Sequence, residues 1–259
     1  MKRRDFMTAC TGAAVTALSN TRLWGTGERL HIVSLSFDDG FRKSFIRIAE
    51  TYEKFGLSAC FNIIASAHMP GNKVRDDYMK QELFGDFGLW NELLDRGHEI
   101  MPHGYQHAHL ASIPLAEAKD LVLRCLEIFA KELRGFDPMK AVFNFPYNQS
   151  SPELEEWLPS VVRAFRTTGG MINPLPTQST IKITTGGWGP DSAEKHVDET
   201  VEALLAQPAG WMVYNLHGLD EEGWGPISPG YLEALLARLR KLDSVRIVPT
   251  ARALMQAGG

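Results

Sequence analysis

Cysteine is scarce, with three residues among 259, too few to frame a small disulfide-held fold. Nor is there a strong excess of charge. The formal net charge of −4 comes from 27 basic and 31 acidic residues, with no polybasic run beyond the N-terminus, which argues against a nucleic-acid partner. No apolar stretch reaches the ~20 residues of a membrane span, which argues against stable membrane insertion. Internal repeats, low-complexity tracts and long linkers are missing too. What is present is a 44% hydrophobic composition, sufficient to bury the core of one α/β domain.

Residues 1–25 read as an address rather than as part of that domain, which takes up 26–259. Lys2-Arg3-Arg4-Asp5-Phe6-Met7 precedes a mildly apolar stretch from Met7 to Leu18, the pattern of a signal peptide. The paired arginines before Phe6 resemble a twin-arginine export signal, so a periplasmic or extracellular protein is expected. Cys10 would leave with the signal. Cys60, in a strand pattern, and Cys125, in a helix pattern, read as buried core thiols, and a disulfide between them is compatible with export.

The chemistry gathers around Ser36-Phe37-Asp38-Asp39-Gly40. The apolar run Leu30–Phe37 reads as a buried strand, and two adjacent carboxylates stand at its end. Side chains alternate along a strand, so one carboxylate can hold a metal while the other faces a substrate. The same three residues also make an ordinary turn.

Ser44 is placed to cap a helix carrying Phe45, Ile48, Ala49 and Tyr52, closed by Gly56. Leu57–Ile64 reads as a second strand, 65–82 as a long surface loop and 88–96 as a helix. A third strand entering at Gly97 ends in Pro102-His103-Gly104-Tyr105-Gln106-His107. If a helix starts there, the two imidazoles share a face and can reach one ion. With a strand-end aspartate they make a two-histidine, one-carboxylate set that leaves positions for water and substrate. His109 reads as a neighbour outside that set.

Pro114 opens a long amphipathic helix with Leu121, Val122, Cys125 and Phe129 on its apolar face. Strands are expected over 141–147, 161–167 and 181–183, with a helix capped by Ser151 between the first two and a loop over 169–179. A helix over 193–206 precedes a buried strand, 211–216, that ends in His217-Gly218. Asp220-Glu221-Glu222 reads as a solvated loop, Ser228 caps a last helix, and Val245–Val248 closes the series. Strands alternating with helices imply a parallel sheet with its site at the strand C-termini; seven or so strands favour a barrel, with an open doubly wound sheet as the alternative.

Ser36-Phe37-Asp38-Asp39-Gly40, His103-x-x-x-His107, Phe143-Asn144-Phe145-Pro146-Tyr147 and Leu216-His217, in that order, resemble the motifs of the polysaccharide deacetylases, the NodB-homology carbohydrate esterases of family 4. The resemblance spans about residues 30–250. It implies a distorted (β/α)7 barrel and a metal-dependent hydrolase of carbon–nitrogen bonds that removes acetyl groups from an N-acetylated glycan such as peptidoglycan or a chitin-like oligomer. Carried over, Asp39, His103 and His107 hold a divalent ion, most simply Zn2+; Asp38 is the base, His217 the acid, and the Tyr147 amide an oxyanion donor. Tyr105 and Trp188 are candidate substrate walls. Two positions depart from the pattern: Asn144 stands where the family has an arginine that supports the base, and Gly187 where it has an aspartate that tunes the histidine. Asn144 can donate to Asp38 but carries no charge, and Asp191 or Asp198 could replace the missing acid. An O-acetyl esterase, another C–N hydrolase, or a metal-bearing glycan binder without catalysis are the competing expectations.

Overall fold

The computed structural model describes residues 29–71, 74 and 79–257; the export signal expected over 1–25 lies outside them. Strands and helices alternate: β1 Leu30–Phe37, α1 Arg42–Glu53, β2 Cys60–Ile63, α2 Phe87–Asp95, β3 Glu99–Pro102, α3 Leu115–Glu132, β4 Val142–Asn144 and α4 Pro152–Trp157. They continue as β5 Ala164–Thr168, β6 Ile172–Asn173, β7 Lys182–Thr185, α5 Ala193–Leu205, β8 Ala209–Leu216, α6 Pro229–Leu239, β9 Val245–Ile247 and α7 Thr250–Gln256. Among the described residues, no helix is long and apolar enough to cross a membrane.

Parallel ladders join β3, β2, β1 and β8 on one side and β4, β5 and β7 on the other. A bridge between Gly186 and Tyr214 carries β7 onto β8. Between β3 and β4 only scattered bonds cross, including Asn144 Nδ2 to the Pro102 carbonyl at 3.3 Å. The seven strands therefore form a distorted (β/α)7 barrel with one loose seam. The remaining two strands sit at its lower rim. β9 pairs with the first half of β1, and β6, within the expected 169–179 loop, runs antiparallel to β8.

Period-two alternation divides the side chains. Val33, Leu35 and Phe37 of β1 face outward into the large core beneath α1 and α2, where Phe37 meets Tyr52 edge-on and Phe45 stacks on Phe61. Ile32, Val142, Ala164, Ile183, Trp211 and Val213 pack instead in a second cluster with Ala251, Ala253 and Leu254 of α7. That cluster fills the bottom of the barrel, with α7 as its plug. Glu99 fastens the plug, accepting from the main-chain N–H groups of Ala251 at 3.0 Å and Arg252 at 2.9 Å. Two residues higher on the same inward rows stand Ser34, Asn144, Arg166 and Asn215, all buried. The interior thus changes from apolar to polar toward the strand C-termini.

Three local expectations need correction. Ser44 lies inside the first turn of α1, and its N–H and hydroxyl donate to Glu222 at 2.9 and 2.6 Å. Glu222 is therefore not a solvated residue but an acid at a helix N-terminus, where the orphan N–H groups favour it. The segment from His103 to His107 is not helical; Gly104 at φ 78° and His107 at φ 54° curl it into a turn. Cys60 and Cys125, by contrast, are buried and free, the core thiols the sequence led one to expect.

Candidate metal centre and active site

β1 delivers Asp38 on the inward row of Ser34 and Ser36. Asp39 then takes φ 80° and Gly40 φ 103°, so the strand ends abruptly and both carboxylates stay in the barrel mouth, 2% and 0% exposed. A Cβ on Gly40 would lie 3.3 Å from Trp90, a second reason for glycine there.

His103 follows β3 directly. Its Nδ1 lies 2.9 Å from the Asn144 carbonyl, which can only accept, so Nδ1 carries the proton and Nε2 presents a lone pair. That Nε2 is 3.5 Å from Asp39 Oδ1, and His107 Nε2, brought round by the turn, is also 3.5 Å from it. One ligand atom from each of the three residues lies within 4.8 Å of the others. Among the described residues neither oxygen of Asp39 accepts a hydrogen bond, although both are buried. A buried carboxylate without donors is costly unless a cation meets it, so these residues fit a divalent ion.

Asp38 is the opposite case. Oδ1 accepts from Asn62 Nδ2 at 2.6 Å and Arg166 Nη1 at 3.0 Å. Oδ2 accepts from Asn215 Nδ2 at 2.7 Å and, in a short contact, from Arg166 Nη2. Burial alone would raise the pKa of Asp38, but the Arg166 charge and hydrogen bonds, with His103 and His217, hold it far below the usual carboxylate range. The charge expected to be missing at Asn144 is supplied by Arg166 from the adjacent strand, in register with Asn144. Asn144 itself is fully buried and donates to Asn62 at 2.8 Å, not to Asp38.

Sequence reasoning missed Arg166, Asn62 and Asn215. The signal was there: each interrupts an apolar strand on the row that faces inward, where an unpaired polar residue is rare.

His217 ends β8 beside these carboxylates. Its Nδ1 is buried without a hydrogen-bond partner. Burial lowers the pKa of His217, against the pull of Asp39 and Asp38. Among the described residues no acid replaces the one expected beside it: Asp198 is engaged by Arg238 at 2.6 Å and Tyr231 at 3.0 Å, and Asp191 is exposed. Nor could residue 187 supply it in this backbone, since a Cβ there would lie 2.6 Å from the Asn215 carbonyl.

Around the rim, Tyr147 takes φ 55° and its ring lies 3.5 Å from that of His109 at 5° between planes, which places His109 against the site. Tyr147 also contacts His107, with centroids 4.4 Å apart. Trp188 is 50% exposed and stacks on His196, while Trp224, 41% exposed, meets His217 edge-on. Tyr105 is half-buried under the Arg124 guanidinium, 4.4 Å from its ring centre.

The fold recurs among solved proteins. A family 4 acetyl xylan esterase from Clostridium thermocellum, in complex with a cobalt ion, aligns at a TM-score of 0.58 and 18% identity, over 86% of this chain and 90% of its own. The peptidoglycan deacetylase PdaC from Bacillus subtilis aligns at 0.53 and 14% identity, over 89% and 92%. A PuuE allantoinase aligns at 0.66 and 12% identity, over 90% and 91%. No curated protein matches the sequence. The family model for polysaccharide deacetylase, however, matches residues 27–161, just over half of the sequence and the half that holds Asp38, Asp39, His103, His107 and Tyr147. Sequence and barrel thus agree that the chain belongs to the polysaccharide deacetylase family, as a hydrolase acting on the carbon–nitrogen bonds of N-acetylated carbohydrate.

Proposed function

We propose that the protein is an exported, zinc-dependent deacetylase of an N-acetylated glycan, peptidoglycan or a chitin-like oligomer, with Asp39, His103 and His107 as its metal ligands. The observation that carries the reading is Asp39: a fully buried carboxylate whose oxygens lack hydrogen bonds and which faces two imidazole nitrogens.

A divalent ion bound there supplies the positive charge that lowers the pKa of water and polarises the acyl carbonyl. Asp38 is the base that takes a proton from the attacking water, held in place by Arg166, Asn62 and Asn215. His217, at the other side of the mouth, gives a proton to the departing amine. The main-chain N–H of Tyr147, directed by the residue's left-handed conformation, donates to the developing oxyanion. Trp188 and Trp224 stand on touching loops, since a Cβ on Gly189 would lie 2.9 Å from Trp224. Their exposed faces are the surface on which a sugar ring stacks. Asn144 shapes the wall behind the base, and Tyr105 the outer edge of the mouth.

Arg166 weighs against the reading of a glycan binder without catalysis, because the charge beside the base is present after all. Two of the neighbours named above are an acetyl xylan esterase and an allantoinase, so both kinds of substrate belong in the test. Acetate release is measured on N- and O-acetylated oligosaccharides, and acid formation by ring opening on allantoin, with chelation and then zinc restoration. Zinc-restorable acetate from an N-acetyl sugar is the expected result. Turnover of the O-acetyl substrate or allantoin alone would replace the substrate class, and silence with zinc bound would favour the binder. Residues 1–25 we assign to twin-arginine export; replacing Arg3 and Arg4 by lysine should retain the protein in the cytosol.

A further inference from the structure

Asp38 and Asp39 are adjacent, buried and equally near the same histidine nitrogen: Asp38 Oδ2 lies 3.6 Å and Asp39 Oδ1 3.5 Å from His103 Nε2. Distance to His103 therefore does not separate them, although Asp39 alone also lies 3.5 Å from His107. Their hydrogen bonds differ completely. Asp38 accepts four donors and Asp39 accepts none.

We propose that Arg166 assigns the two roles, locking Asp38 away from the cation and leaving Asp39 to bind it. The inference rests on Asp39, His103 and His107 being the ligand set. Arg166 is fully buried and supplies two of the four bonds to Asp38 in a fork, one to each oxygen. Such a fork fixes the plane of a carboxylate, which a single donor does not. The fork is itself fixed, because Nη1 also donates to Ser36 Oγ at 2.8 Å. Asn62 and Asn215 supply the other two bonds but no charge. Without the guanidinium, Asp38 would be a buried anion held by two neutral amides, and the strongest remaining attraction on it would be the cation. It would turn from a free carboxylate into a fourth protein ligand.

The test uses Co2+, whose visible spectrum reports coordination, in the mature protein and in Arg166→Met, Arg166→Lys, Asp38→Asn and the double variant Asp38→Asn/Arg166→Met. In Arg166→Met the Co2+ bands should shift and weaken as a carboxylate joins the ion, and Co2+ affinity should rise by about ten-fold, because ligand charge tightens such sites. Turnover on the best acetylated substrate should fall by about 100-fold, the scale of losing one organised polar contact in an active site. In the double variant the spectrum and affinity should match Asp38→Asn alone, since no carboxylate remains to swing. Arg166→Lys keeps the charge without the fork and should lie between, which preserves the test if the methionine variant does not fold. An unchanged spectrum and affinity in Arg166→Met, or in Arg166→Lys should the methionine variant not fold, would overturn the inference, as would the same shift appearing in the double variant. Because the spectrum needs no substrate, a wild-type protein that hydrolyses nothing would sink the proposed function and leave this inference to be decided by the Co2+ data.

Discussion

His103 donates its Nδ1 proton to the main-chain carbonyl of Asn144 at 2.9 Å, across the loose seam between β3 and β4. That bond sets the tautomer and points Nε2 at Asp39. Replacing a metal-binding residue should harm affinity at least as much as losing an outer partner does. Asp39→Asn and His103→Ala are each expected to weaken Zn2+ binding by about 100-fold or more, measured by competition with a chromophoric chelator.

Asp38→Asn keeps the shape of the side chain and removes its basicity. Metal stoichiometry should stay at the wild-type level while kcat falls by about 10²–10⁴. Hydrolysis surviving in this variant would show that another group takes the proton.

Gly187→Ala is expected to destabilise the protein by about 1–3 kcal/mol, the range for forcing extra atoms into a packed site. Its Cβ would meet the Asn215 carbonyl at 2.6 Å, and moving Asn215 disturbs its bond to Asp38. A lower melting temperature together with lower kcat is the expected pair of results. Gly187→Asp should be no more active than the wild type.

Trp224→Ala removes an exposed ring beside His217 and should leave the melting temperature within a degree or two. Loss of one stacking surface amounts to about 0.5–1.5 kcal/mol, so KM for an oligosaccharide should rise by up to about ten-fold with little change in kcat. An unchanged KM on every substrate would remove Trp224 from the binding surface.

His98 is buried between the Ala59 N–H, which donates to its Nδ1 at 3.0 Å, and Glu53, 3.1 Å from its Nε2. Burial lowers its pKa below 6.5, against the pull of Glu53. The unfolded chain therefore takes up the proton first as pH falls, and stability present above pH 6.5 is lost below it. Urea midpoints in chelator should drop between pH 7.5 and 5.5, and drop less in His98→Gln.

The alternation of strands and helices, the inward aspartates and the order of the motifs could be read from the sequence because each depends on neighbours within a few residues. Periodicity and turn chemistry are local, and β1 and α3 began where the patterns placed them. The turn at His107 could not be read that way. A histidine spacing of four fits a helix face and a curled loop alike, and the left-handed residue that chooses between them is held by the surrounding barrel.

Partners far apart in sequence were decided by the tertiary structure alone. Arg166 stands 128 residues from Asp38, and only the closure of β4, β5, β7 and β8 around β1 brings the two together. The sequence by itself determined the family and the expected barrel, and singled out the aspartates and histidines at the strand ends, since those follow from local pattern and residue type. The different hydrogen bonding of Asp38 and Asp39 was left to the fold, because it depends on which buried donors reach each carboxylate through space.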